Sequence, residues 1–237
     1  MTEGADLVFP PLLWGEEVTT DAFDHACRRA LLGCDAGLVA WRATPDLLEG
    51  ALVLAPDVPL SRAMTMLPLC GVGFQNALGA LAPPEVAVHL DWDGGLRVNG
   101  ASCGGFRCMA ASADPDAVPD WLVIGFALPL LPENDAPGTT PDRTSLYAEG
   151  CAEVFPPALL EAWARHTLGW ISRWEQDGSR GLHAEWRGLA HGLGEPARQN
   201  GQTGLFVGVD EDFGMLLRDD HGTTHLIPLT TLLEPAP

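Results

Sequence analysis

Cys103 stands beside Gly104-Gly105 with His89 upstream, and a thiol with an imidazole base can carry an acyl group on sulfur. The competing reading is a small buried thiol on a strand and a structurally satisfied histidine. Arg42 offers a planar guanidinium fork that suits a carboxylate or another anion. Thr19-Thr20-Asp21 brings three oxygen-bearing side chains to the start of a helical pattern, where they can cap the helix, line a pocket, or both. His183, His191, His221 and His225 lack metal-ligand spacing and accompanying Cys or Asp pairs, so no metal site is expected. All 13 basic residues are arginine. The absence of lysine excludes every mechanism that needs an ammonium group.

The elements that must position these groups follow from periodicity. Ala22, Phe23, Ala26, Ala30 and Leu31 form one apolar stripe of a helix from about Thr20, as N-cap, to Gly33. Residues 38–41 read as a buried strand, 43–50 as a loop with Pro45, and 51–54 as a second strand. A longer helical pattern follows through Leu67, Cys70, Phe74 and Leu78, with Pro68 at its first turn or at a kink. Residues 86–90 and 96–98 read as short strands around the turn Asp93-Gly94-Gly95. Asn99-Gly100 is a strong hairpin signal. The nearly all-apolar run 121–130 reads as a central strand, and 131–142, with three prolines, as a surface loop. A short helix near Ser145 precedes a long one from about Ala158 to Gln176, with Leu159, Leu160, Trp163, Leu168 and Ile171 inward. The tryptophans Trp163, Trp170, Trp174 and Trp186 read as packing for this helix and for a linker spanning 178–194. Short strands over 203–209, 215–218 and 223–228 then suggest a small β-barrel. The expected class is α+β, a mixed sheet flanked by helices, with a unit over 1–180 and a small barrel over 190–237.

Composition narrows the partners. Hydrophobic residues make up 46 % of 237 residues and charged residues 19 %, which suits a packed core. A net charge of −19 without any basic cluster argues against nucleic acid and anionic membranes. From the sequence, no apolar run is expected to reach the ~20 residues of a membrane span. No basic, apolar leader precedes Gly15, and six scattered cysteines without a C-x-x-C pair read as reduced thiols. The expected setting is the cytoplasm.

Several short strings, in order, resemble the biotin and lipoate protein-ligase superfamily. Thr19-Thr20-Asp21 stands where such ligases carry Ser-Thr-Asn, and Arg42 where they carry a pocket glutamine. Asp91-Trp92-Asp93-Gly94-Gly95 keeps only Trp92 of the Lys-Trp-Pro-Asn-Asp signature. Ser102-Cys103-Gly104-Gly105 replaces a hairpin that carries a lysine, and Gly125-Phe126-Ala127-Leu128-Pro129 a Gly-x-Gly-Leu-Asn strand. The match improves from Thr144-Ser145-Leu146 onward, and residues 204–232 are similar to the SH3-like domain of bacterial biotin ligases.

The resemblance implies a ligand site of Thr19, Thr20, Asp21, Arg42, Trp92, Ser102, Gly104, Gly105 and Gly125, with a concave apolar pocket between the Thr19–Asp21 helix start, the end of the Arg42 strand and the Ser102–Gly105 hairpin. Gly104 and Gly105 either let a ligand approach the backbone or form a β-bulge. A small carboxylic acid, such as biotin or lipoate, is the implied ligand and a carrier protein the implied partner. Adenylation of such an acid needs cationic groups at the α-phosphate. In the family a Gly/Arg-rich loop and two lysines supply them. Here residues 43–50 bring Asp46 and Glu49 instead, Ser102 and Asp91 replace the lysines, and a lone Arg42, Arg97 or Arg107 would have to compensate. These losses count against ATP as a cofactor. Three readings stay open: a ligase-like protein that only binds, an active ligase with a rearranged site, and a cysteine acyltransferase using Cys103.

Overall fold

The computed structural model of the chain describes residues 7–132 and 142–235. Its larger sheet has seven strands: β1 (Trp14–Glu17), β2 (Leu38–Ala43), β3 (Leu47–Leu54), β4 (Val88–Leu90), β5 (Gly95–Val98), β6 (Ala101–Ala110) and β7 (Leu122–Pro129). Their order is β1-β2-β3-β7-β6-β5-β4. Only the β1–β2 pair is parallel, so the sheet is mixed, and β7 is the middle strand, as its apolar run required.

Cross-strand register sorts the side chains onto two faces, because directly paired residues share a face. Trp41, Gly50, Phe126 and Phe106 form one row. This row packs against α3 (Met66–Leu81) and α4 (Pro156–Asp177), where Phe74, Phe106, Phe126 and Trp163 make edge-on and tilted ring contacts. The neighbouring row, Ala40, Ala51, Gly125 and Arg107, faces the other way, toward α1 (Ala22–Leu31). Gly125 lets α1 sit close, since a Cβ there would lie 2.6 Å from a Phe23 ring carbon.

Most sequence expectations for the elements hold, with differences at their ends. The N-cap of α1 is Asp21 rather than Thr20; its carboxylate accepts the Asp24 N–H at 2.8 Å, and Leu31 is exposed. Residues 43–50 are not a loop. β3 begins at Leu47, leaving a tight turn over Thr44-Pro45-Asp46 in which Thr44 N–H donates to the Leu47 carbonyl at 2.8 Å. Cross-strand pairing of Glu49 with Arg42 overrides the loop character that Pro45 suggested. Pro68 sits in the first turn of α3, where its missing N–H costs little. Asn99 and Gly100 both take positive φ, 50° and 90°, as a primed hairpin turn requires. The segment near Ser145 is a run of turns rather than a helix, and Leu168 and Ile171 are only half-buried. The loop expected over 131–142 falls mostly outside the described residues.

Leu60–Leu81, comprising α2 (Leu60–Ala63) and α3, is apolar enough over 22 residues to meet the length and composition of a membrane span, contrary to the sequence expectation. The reason is its place in the core: 72 % of its most apolar window is buried, so it is hydrophobic on all sides.

The expected linker over 178–194 is instead largely a helix, α5 (Arg180–Leu189), with Leu182 and Trp186 buried. A separate four-stranded antiparallel sheet follows, of β8 (Pro196–Gln199), β9 (Gln202–Val209), β10 (Met215–Arg218) and β11 (Thr224–Ile227), in the order β11-β10-β9-β8. Phe213 joins the two units. It is 1 % exposed, stacks on His183 at 3.9 Å, meets Trp186 edge-on, and its carbonyl accepts the Trp92 indole N–H at 2.7 Å.

Candidate functional site

The open part of the α1-side face is a row across the sheet: Arg42, Glu49, Ala127, Gly105 and Gly95. Its middle is floored by residues with little or no side chain. At one end Arg42 Nε donates to Glu49 at 2.7 Å, and Glu49 is only 6 % exposed although ionisable. The pairing raises the Arg42 pKa, chiefly through this hydrogen bond, with Asp21 and Asp46 adding to it. Arg42 is thus committed to a carboxylate of its own chain.

Arg107, one row toward α1, is surrounded more fully. It makes a two-pronged contact with Glu234, Nε to Oε1 at 2.8 Å and Nη2 to Oε2 at 2.7 Å. Asp21 lies 3.6 Å from Nη1 and Asp24 3.6 Å from Nη2, and the guanidinium sits 4.2 Å above the Phe23 ring centroid. The Glu234 contact is also the main cause of its raised pKa.

The remaining site residues separate. Thr19 and Thr20 are exposed at the start of α1, and Asp21 faces both Arg107 and Arg42. The face is polar and charged at these positions, not the apolar pocket expected. Gly125 serves helix packing, as described above. Gly104 is a bulge residue: its φ is +79°, and a Cβ would lie 2.0 Å from the Ala127 carbonyl oxygen. Gly105 lies against Gly94 and Gly95. Ser102 is tied by its backbone to Asp142 and Thr144 at 2.9 and 2.8 Å. Trp92 is buried on the opposite side, against Phe213, and so does not join Arg42 or Asp21.

Cys103 is fully buried, and burial pushes its thiol up to about 12, with Glu149 adding to the effect. Its sulfur belongs to the core beneath the sheet. The thiolate needed for nucleophilic attack is therefore neither formed nor exposed at neutral pH. In the native protein a maleimide is expected to label Cys34, which is half-exposed, well before the buried Cys27, Cys70, Cys103, Cys108 and Cys151. Mass mapping of the first modified site checks this, and rapid labelling of Cys103 would restore the thiol mechanism.

Asp91 is not the uncompensated charge that the sequence suggested. Arg97 Nε reaches both of its oxygens, at 2.8 and 3.0 Å, and His191 Nδ1 lies 3.1 Å away. These groups line a cavity of about 270 Å³ between the β4–β5 hairpin and β8. Among the described residues no group of three or more His, Cys, Asp or Glu side chains has metal-binding geometry.

The sequence profile of the biotin/lipoate A/B protein ligase family matches residues 9–188. The chain belongs to that family. A second profile, a domain of unknown function (DUF4444), matches residues 193–235. A biotin protein ligase-like protein of unknown function from Silicibacter sp. is 63 % identical, with 97 % of this chain and 100 % of that one covered and a TM-score of 0.92. Biotin protein ligase from Aquifex aeolicus, solved with biotin and ATP, is 16 % identical over 91 % of this chain and 95 % of that one, at a TM-score of 0.67. The Leishmania major enzyme with biotinyl-5-AMP is 18 % identical over 92 % and 99 %, at 0.55. At these lower identities the likeness is one of fold. No curated protein sequence matches.

The partners of these charges leave no local pattern in the sequence. Period-two alternation from Gly105 could have placed Arg107 on the α1-side face. Nothing in the sequence pointed to Glu234, which comes from the far end of the chain.

Proposed function

We propose that this family member binds a small carboxylic acid, or a partner protein, and does not make an acyl-adenylate. The observation that carries the reading is that the arginines facing the open side of the sheet are neutralised from within: Arg42 by Glu49, Arg107 by Glu234, and Arg97 by Asp91. A triphosphate brings several negative charges and requires unpaired donors where charge builds up. Around Arg42 and Arg107 stand Asp21, Asp24, Asp46, Glu49 and Glu234 instead. The turn over 44–46 is also too short to form an arginine-rich phosphate loop. The solved relatives that bind biotin motivate an acid ligand here, and those that bind ATP define the activity proposed to be lost. A biotin- or lipoate-bearing carrier protein remains the alternative partner, and the cytoplasm the proposed setting. The units 1–180 and 190–237 are proposed as the two folding units, with α5 between them.

The test is acid-dependent exchange of pyrophosphate into ATP, with biotin, lipoate and octanoate, Mg²⁺ and saturating ATP. The expected result is no exchange above a heat-treated control. Exchange that requires the acid and disappears in Arg107→Gln would overturn the reading and establish an active ligase.

A further inference from the structure

Arg42 was the sequence's choice for a carboxylate-binding residue, but its partner Glu49 is buried within the strand pair β2–β3 and fixed by that pairing. Arg107 differs in how its partner is held. Glu234 lies after the 3-10 turn Leu229–Leu232, outside any helix or strand. Its backbone N–H donates to the Cys108 carbonyl at 2.9 Å, and the Cys108 thiol lies 3.6 Å from the Leu232 carbonyl oxygen. These few contacts lay the segment along the part of β6 beyond the β5 pairing and deliver one carboxylate to Arg107 in fork-on-fork geometry.

The surroundings of that carboxylate resemble a ligand site. The Phe23 ring forms an apolar wall beneath the guanidinium, the start of α1 lies alongside, and the floor continues to Gly105 and Ala127 with little side chain in the way. Asp21 and Asp24, at 3.6 Å, lie beyond hydrogen-bond distance and do not share the bidentate contact that Glu234 makes.

We propose that Arg107 is the carboxylate-binding group of this face, and that Glu234 occupies it as an internal ligand which a small monocarboxylic acid must displace. The proposal rests on the acid-binding reading above and adds to it the binding residue and a built-in competitor. Removing the Glu234 charge frees the fork without emptying the space. Glu234→Gln therefore raises affinity for a free acid, whereas removing Arg107 abolishes the gain.

The experiment is calorimetric titration of the full-length protein with sodium octanoate, and separately with lipoate and biotin. Wild type, Glu234→Gln, Arg107→Gln and the double variant are compared, each shown to be folded by near-UV circular dichroism. Glu234→Gln is expected to bind at least one of these acids ten-fold or more tightly than wild type, and the double variant to lose that gain. Equal affinity in wild type and Glu234→Gln overturns the proposal while leaving acid binding intact. Tightened binding that persists in the double variant also overturns it, placing the carboxylate elsewhere. If none of the acids binds any variant at millimolar concentration, the acid-binding reading fails, and the proposal with it.

Discussion

Phe213→Ala is expected to cost about 3–5 kcal/mol of stability, the range for emptying a buried phenylalanine site. The side chain is 1 % exposed and fills the space between α5 and the β4–β5 turn. Its loss takes away the stacked contact with His183 and the edge-on contact with Trp186, and loosens the carbonyl that receives the Trp92 N–H. Phe213 also holds a φ of +63°, uncommon for a bulky residue, so the packing must outweigh a local strain of roughly 1–3 kcal/mol. Alanine keeps that strain and discards the packing. Differential scanning calorimetry should show the transition lowered by roughly 10 °C for a chain of this size. A change under about 0.5 kcal/mol in urea unfolding, the scale of an unremarkable surface substitution, would mean that Phe213 does not couple the two units.

Arg42→Ala is expected to destabilise by about 3 kcal/mol, at the low end for a broken buried ion pair because the arginine partly meets water. The side chains of Arg42 and Glu49 are 27 % and 8 % exposed, so the cost is chiefly that of leaving the Glu49 carboxylate buried without its donor. Glu49→Gln introduced together with Arg42→Ala should recover most of the loss, since a neutral amide is far less costly to bury than a carboxylate. A double-mutant cycle by urea unfolding measures this coupling. If Arg42→Ala alone is neutral, Glu49 finds water or another donor, and Arg42 becomes available to a ligand after all. The expected destabilisation also bears on ligand screens: a binding defect in Arg42→Ala would report a disturbed β2–β3 pair as readily as a lost contact.

The class of fold was legible in the amino-acid sequence, since its signals are local. Asn99-Gly100 dictates a primed turn, the uninterrupted apolar run at 122–129 dictates a strand buried on both faces, and the stripe from Ala22 to Ala30 dictates a helix with one wet side. The ordered strings that carried the family resemblance fall where geometry restricts residue choice: Thr19 just before α1, Trp92 in the β4–β5 turn, Gly104 at the β6 bulge and Trp186 buried within α5. The missing lysines were equally legible, as composition needs no coordinates.

How the charges are partnered emerged from packing in three dimensions. Residues 43–50 read as an acidic loop until the β2–β3 register set Glu49 opposite Arg42. Asp91 read as repulsive until β5 and the segment after α5 brought Arg97 and His191 to it. Arg107 and Glu234 are 127 positions apart, and no periodicity links them. An ion pair depends on distances of a few ångströms between side chains whose sequence separation is arbitrary, while secondary structure depends on neighbours along the chain. The fold was therefore readable from local pattern, and the electrostatics of the candidate site, on which its function turns, was set by packing.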